Sequence, residues 1–318
     1  MRTLVLLLCA GCAADPHKSG PSTPADSADT VDTADTGIAE TEPVHAFRFA
    51  IIADPHVTRE GDSLDRLHAA VAHLDAMHAD TPIAFVAVLG DIAWGDGWSH
   101  SRDALNALPV PWVPIQGDNP IQVGEEADFD AEFGAQLDSL SGHLDDWQRA
   151  PLPVADPIYG ESWLTNIAFT YDGVTFIGLD WNSREVGTLF GETPDLFDMP
   201  GGTLPFLEDV LADVASEDGL DGRVVTLTHM PMMYGPGFFT VDEQDALETR
   251  LAPYTHLLHA NHAGHLHANA DTEWAELSME VVVTDATWDD DNAVRVVDVA
   301  KTNLRVVTSH EVVVVPAR

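Results

Sequence analysis

The 318-residue chain sets 14 Lys and Arg against 53 Asp and Glu, a formal net charge of −39. A surface of that sign repels a polyanion, which excludes long nucleic acids as partners. Its two cysteines, Cys9 and Cys12, both lie near the start, so the folded part is held by its core and by bound groups rather than by disulfides.

Arg2 precedes the apolar run Leu4-Val5-Leu6-Leu7-Leu8, and Cys9-Ala10-Gly11-Cys12 follows. A basic start, a short apolar run and small residues make a secretory signal, too short to span a bilayer as a helix. The Cys-Ala-Gly-Cys end resembles a bacterial lipobox, with Cys9 where that motif usually has Leu. The resemblance implies a leader over 1–11 and a lipid anchor on Cys12. The protein would then be exported and membrane-anchored, periplasmic or on the outer surface. Residues 12–45 are mostly Asp, Ser, Thr, Ala and Pro, a disordered acidic tether. The remainder, 46–318, is long enough for one large α/β domain.

Within that domain the first apolar run, Phe49-Ala50-Ile51-Ile52-Ala53, reads as a buried strand ending in Asp54-Pro55-His56. Asp62-Ser63 then opens a helix with Leu64, Leu67, Val71, Leu74 and Met77 on one stripe. His68, His73 and His78 on that helix do not share a face and read as exposed. A second strand, Ile83 to Leu89, ends in Gly90-Asp91, and a short helix covers 100–107. A third strand, Val110 to Ile115, ends in Gly117-Asp118-Asn119-Pro120. Residues 123–150 are acidic and partly helical, an excursion over the sheet. Ala168 to Tyr171 and Val174 to Leu179 form a hairpin turned at Asp172-Gly173. Thr203 caps a helix presenting Leu204, Leu207, Leu211 and Val214, and the strand Arg223 to Leu227 leads to His229. After His267 the pattern is all strand: Glu280 to Val283, Val294 to Val297, Leu304 to Val307 and Val312 to Val315. Alternation of α and β that gives way to β fits two mixed sheets face to face with helices outside, a four-layer αββα sandwich.

Five loops at strand ends carry metal-ligand chemistry: Asp54-Pro55-His56, Gly90-Asp91, Gly117-Asp118-Asn119, His229-Met230-Pro231 and Gly264-His265-Leu266-His267. The glycines permit tight turns and close backbone approach beside an ion. In this order the motifs resemble the calcineurin-like metallophosphoesterases, over most of residues 47–267.

The resemblance implies a dinuclear centre whose metal-bound hydroxide attacks phosphorus. Asp54, His56 and His267 would hold one metal. Asp118 or Asn119, with His229 and His265, would hold the other, and Asp91 would bridge both. Asp91, Asn119 and His229 are the residues expected to act on the substrate.

Chemistry supports the same arrangement. Phosphate esters need up to ~10²¹-fold acceleration. Two cations about 3.5–4 Å apart activate water and neutralise the phosphoryl group together. A charge of about +4 against at most three carboxylates leaves a positive pocket on an acidic protein. Mixed imidazole and carboxylate ligands suit Mn, Fe or Zn.

The third motif departs from the family order Gly-Asn-His. Without a gap, Asp118 takes the ligand place and Asn119 replaces the general-acid histidine; with a one-residue slip, Asn119 is the ligand. Either way the usual acid is absent, since an asparagine cannot deliver a proton at neutral pH. His262 is a candidate substitute. Trp94 stands where purple acid phosphatases carry a tyrosine, which argues against an iron–tyrosinate centre.

Around the motifs, Trp94, Trp98 and Trp181 either stack on a substrate or pack the loops. Arg59 and Arg184 either contact phosphate or pair with surface acids. His256 and His259 read as outer neighbours of the last motif or as surface residues. The leading expectation is a hydrolase of phosphate mono- or diesters on small phosphorylated substrates. The alternative is a catalytically weak metal-binding protein of the same fold, acting as a binding module.

Overall fold

The computed structural model describes residues 39–58, 61–184, 193–233, 238–288 and 292–315. The expected leader, Cys12, Arg59 and most of the expected tether lie outside the described residues. In chain order the elements begin with β1 (Val44–Ala53), α1 (Ser63–Asp80), β2 (Val86–Leu89), α2 (Trp98–Leu105), β3 (Trp112–Ile115), α3 (Asn119–Gln122) and α4 (Glu126–Ser139). Next come β4 (Asp145–Arg149), β5 (Val154–Asp156), β6 (Gly160–Ser162), β7 (Ile167–Tyr171), β8 (Val174–Leu179), α5 (Thr203–Ala215), β9 (Val224–Thr228) and α6 (Val241–Leu251). The chain closes with β10 (Leu258–Ala263), β11 (Ala270–Trp274), β12 (Met279–Val283), β13 (Ala293–Lys301) and β14 (Val306–Val314).

One sheet has the order β14-β13-β1-β2-β3 and the other β11-β12-β10-β9-β8-β7-β4. β1, β2 and β3 run parallel, as do β8, β9, β10 and β12. β13 and β14 in the first sheet, and β4, β7 and β11 in the second, run antiparallel to their neighbours. Both sheets are therefore mixed, with the C-terminal ends of their parallel strands delivering the motif loops.

The sheets meet through aromatic side chains. Phe49 and Phe176 lie 5.3 Å apart edge to face, and Phe85 and Phe169 5.2 Å apart. Strand alternation sorts β8, whose Val174 and Phe176 join this inner core while Ile177 and Leu179 face away. On that far side Leu204, Leu207 and Leu211 of α5 and Leu247 and Leu251 of α6 cover the second sheet. Leu67, Val71 and Leu74 of α1 and Phe129 and Phe133 of α4 pack with the first sheet. The result is the expected αββα order. Among the described residues no helix is long and apolar enough to cross a membrane.

Several local expectations differ from the structure. The folded unit reaches back to Glu40 rather than starting at 46. What holds it there is polar: Glu40 binds Thr302 and Arg305, and Thr41 and Asn303 exchange hydrogen bonds. The excursion at 123–150 includes a strand, β4, which extends the second sheet beyond β7. The two expected strands at 304–307 and 312–315 are one, β14, because the polar stretch Thr308 to Glu311 continues the antiparallel ladder at a sheet edge. Thr203 is the first residue of α5 rather than its cap, and its hydroxyl donates to Asp180 O at 2.6 Å. On α1, His68 is exposed, but His73 and His78 are half-buried and His78 Nδ1 accepts from Ile83 N at 3.0 Å.

Candidate metal centre

β1, β2, β3, β9 and β10 end at Ala53, Leu89, Ile115, Thr228 and Ala263, and each is followed by a motif loop. Backbone hydrogen bonds lace the loops together. His56 N donates to Asp91 O at 2.9 Å, and Gly264 N to His229 O at 3.0 Å. Asn119 N donates to Asp91 Oδ1 at 2.9 Å, and His265 N reaches both carboxylate oxygens of Asp54, at 3.0 and 3.2 Å.

Three glycines make this closeness possible. A β-carbon at Gly90 would enter the His229 ring, one at Gly117 would strike Asp91, and one at Gly264 would strike the Asp54 carboxylate. Gly90 additionally takes φ +79°.

The loops bring together two triads whose ligand atoms each lie within 4.8 Å of one another: Asp54, His56 and His267, and Asp118, His229 and His265. Asp54, Asp91 and His229 satisfy the same distance and link the two. His229 Nδ1 stands 3.0 Å from Leu89 O, which as donor to that carbonyl leaves Nε2 facing Asp118 Oδ1 at 2.7 Å. Asn119 is not in either triad; its carboxamide nitrogen donates to Asp91 Oδ2. The structure thus places Asp118 among the histidines and Asn119 on the central aspartate. The strand ends of an αββα sandwich gather both triads in one place.

Three carboxylates, Asp54, Asp91 and Asp118, are all buried beside the imidazoles. Burial pushes the Asp54 carboxyl up, but the imidazoles of His267 and His56 and charge on His229 outweigh it and hold it well below the usual range. Asp118 behaves likewise through His229 and His265. At Asp91 burial dominates and, with the charges of Asp118 and Asp54, raises its carboxyl. His229 is pulled the other way: burial disfavours its cation, yet Asp91, Asp118 and Asp54 raise it well above the ordinary imidazole value.

This cluster fits metal ions. Among the described residues His56 Nε2 is buried without a hydrogen-bond partner, 3.4 Å from Asp91 Oδ2 and 3.8 Å from Asp54 Oδ1. A buried imidazole nitrogen left unpaired among carboxylates is the donor a cation would take up.

No protein-family model matches the chain, and no curated protein matches it significantly in sequence. Among solved structures it is similar to a putative 5'-nucleotidase from Staphylococcus aureus, at 13% identity and TM-score 0.47, covering 85% of this chain and 54% of that one. It is also similar to the sulfate thiohydrolase SoxB from Thermus thermophilus, at 14% identity and TM-score 0.48, covering 88% and 58%. A third likeness, to the phosphopantetheinyl hydrolase PptH from Mycobacterium tuberculosis, has 15% identity and TM-score 0.37, covering 75% and 89%. The alignments thus span little more than half the length of the first two proteins.

Several candidates fall elsewhere in the fold. His262 is fully buried between the sheets, its ring 5.7 Å from Phe49 and 6.5 Å from His310, so it faces away from the cluster. Among the described residues neither of its ring nitrogens has a partner, and burial drives its pKa well below the ordinary value, which does not suit a general acid. His259 binds Thr308 and His256 is exposed; neither touches the cluster.

Arg184 is neither a phosphate contact nor a surface pair: it is buried against both oxygens of Asp180, Glu126 and Asn182 O. Trp98 and Trp181 pack, on Phe133 and Phe239 respectively. Trp94 does reach the site, with its ring edge-on to His56 at 5.2 Å.

One neighbour was not legible from the sequence. Trp288 stacks on His56, ring centroids 5.2 Å apart, and meets His267 at 5.7 Å. It belongs to no motif. The one signal is positional, since it lies just past the end of β12, a strand parallel to those carrying the cluster.

Proposed function

We propose that this protein is a phosphoesterase that binds two metal ions and hydrolyses mono- or diesters of small phosphorylated substrates. The observation that supports it is the pair of Asp/His triads joined through Asp91 and Asp54. Asp54, His56 and His267 would hold one ion, Asp118, His229 and His265 the other, with Asp91 shared. When bound, such a pair supplies Lewis acidity and a nucleophile at neutral pH. Mn, Fe or Zn suits this donor set.

The chain's own residues supply the rest. Leu89 O fixes the ring of His229, and Asn119 orients Asp91 through two hydrogen bonds. Asn119 offers a donor hydrogen bond but no transferable proton. Departure of the leaving group therefore depends on its own acidity, and activated esters turn over fastest. Export and lipidation at Cys12 complete the proposal, supported by the 9–12 motif. Intact mass of the protein exported from a bacterial host tests this point: a diacylglyceryl group on Cys12 is expected, and an unmodified Cys12 overturns it.

The full chain loaded with Mn or Zn is expected to release nitrophenolate from 4-nitrophenyl phosphate or its bis-ester. A second reading, a metal-binding module with little turnover, draws on Asn119 in the acid position. Bound metal without hydrolysis of either ester, with any of the metals, would decide for that module.

A further inference from the structure

The floor and the rim of the cluster differ in chemistry. Asp54, Asp91, Asp118 and His229 are buried, whereas His265, His267 and Trp288 open to solvent. Trp288 is 38% exposed although it is among the largest apolar side chains near the site. Leu266, between the two rim histidines in the chain, is exposed to the same extent.

Trp288 is also held in place. Thr287 N donates to Ala53 O at 2.8 Å, which pins the Trp288 segment to the end of the strand that delivers Asp54. The indole lies nearly parallel to His56, at 29°, and takes the edge of His267, at 78°. One face of the ring is thus occupied, by a histidine of the cluster, while the side chain stays open to solvent. Arg184, a cation at another strand end, is fully engaged by Asp180 and Glu126.

We propose that Trp288 is an aromatic platform of the substrate site, selecting esters that carry a planar ring beside the phosphoryl group. The proposal rests on the phosphoesterase reading and names its substrate class: aryl esters, whose ring is bonded to the ester oxygen. It is consistent with Asn119 in the acid position, because an aryl oxide leaves without a donated proton more readily than an alkoxide. A fixed indole binds a second ring with little loss of conformational freedom, through offset or edge contacts.

The alternative role is positional, with Trp288 serving to orient His56 and His267. The two roles separate by experiment. Binding of phenylphosphonate and methylphosphonate to the metal-loaded full chain is measured by calorimetry, alongside turnover of phenyl phosphate and ethyl phosphate. The native protein is expected to bind the phenyl compound about tenfold more tightly, the scale of one ring stacking. Trp288→Leu, which keeps apolar cover without a ring, should bring the two affinities together through loss of the phenyl compound alone. Trp288→Phe should keep most of the preference, and metal content should be unchanged in both.

Equal weakening of both phosphonates in Trp288→Leu, no preference in the native protein, or a preference that survives in Trp288→Leu would each overturn the proposal. A ring preference that depends on Trp288, with neither ester hydrolysed, would leave the platform standing and remove the phosphoesterase reading.

Discussion

Asp54, His56, Asp91, His265 and His267 all take positive φ, between 45° and 67°. For a residue other than glycine this costs of order 1–3 kcal/mol and persists only where the surroundings over-determine it. Here the interloop hydrogen bonds do so, and the strain falls on the side chains that form the triads. Motif spacing made these residues legible. It could not reveal Trp288, in a loop of Thr, Asp and Ala, or the fate of Arg184. The partners of Arg184 are Asp180, four residues away, and Glu126, far earlier in the chain. Asp180 is fully buried, so removing the guanidinium strands a charge. Arg184→Met is expected to cost about 3–5 kcal/mol in urea unfolding. A loss below about 1 kcal/mol would mean that the pair is solvated.

At the scale of elements, parallel strands explain why the site is where it is. β1, β2 and β3 point one way in their sheet, β8, β9, β10 and β12 share a direction in theirs, and the loops after them converge. Short apolar runs ending in Gly or Asp announced most of these strands. β4 and β11 gave no such signal, because Asp145-Asp146-Trp147-Gln148-Arg149 and Ala270-Asp271-Thr272-Glu273-Trp274 are edge strands with polar, largely exposed faces.

The glycines that end strands are a testable feature of this geometry. Gly264→Ala would press a methyl group onto the Asp54 carboxylate. Metal affinity measured by chelator competition is expected to fall about 10–100-fold, as for other groups that orient ligands. An unchanged affinity would show that the close approach is dispensable.

Across the whole molecule, two imidazoles outside the cluster, buried His262 and half-buried His259, lower stability in acid. His259 is pushed down to about 4, by burial first and then by Arg305. His262 is held well below the ordinary value by burial, then by Arg295, His310 and His259. Asp271, Glu273 and Glu280 line the same groove as His259 and His310, and Thr308 bonds to His259. Above the ordinary value of 6.5 both histidines are neutral folded or unfolded. As pH falls below it, the unfolded chain takes up protons that the folded chain refuses, so stability drops. Between 6.5 and about 4, His259 alone is worth about 3 kcal/mol. Urea unfolding of the metal-free chain from pH 6.5 to 5 should show this fall, and replacing His259 and His262 with Gln should flatten it. A slope that persists in the double variant would place the acid sensitivity elsewhere. Composition and alternation made the layered architecture legible, but no sequence pattern marked His262 as a core residue or His259 as half-buried, because their burial is created by the facing sheet.

In the proposed centre, loops from both sheets share a pair of ions through Asp91. Metal content of the full chain, loaded with Mn or Zn and freed of excess by gel filtration, tests it most directly when compared with Asp91→Asn. The native protein is expected to retain a pair of ions per chain, and the variant to lose that pair together with nitrophenyl ester hydrolysis. A native protein that retains no metal, or an Asp91→Asn variant that keeps both ions and full activity, would contradict the account.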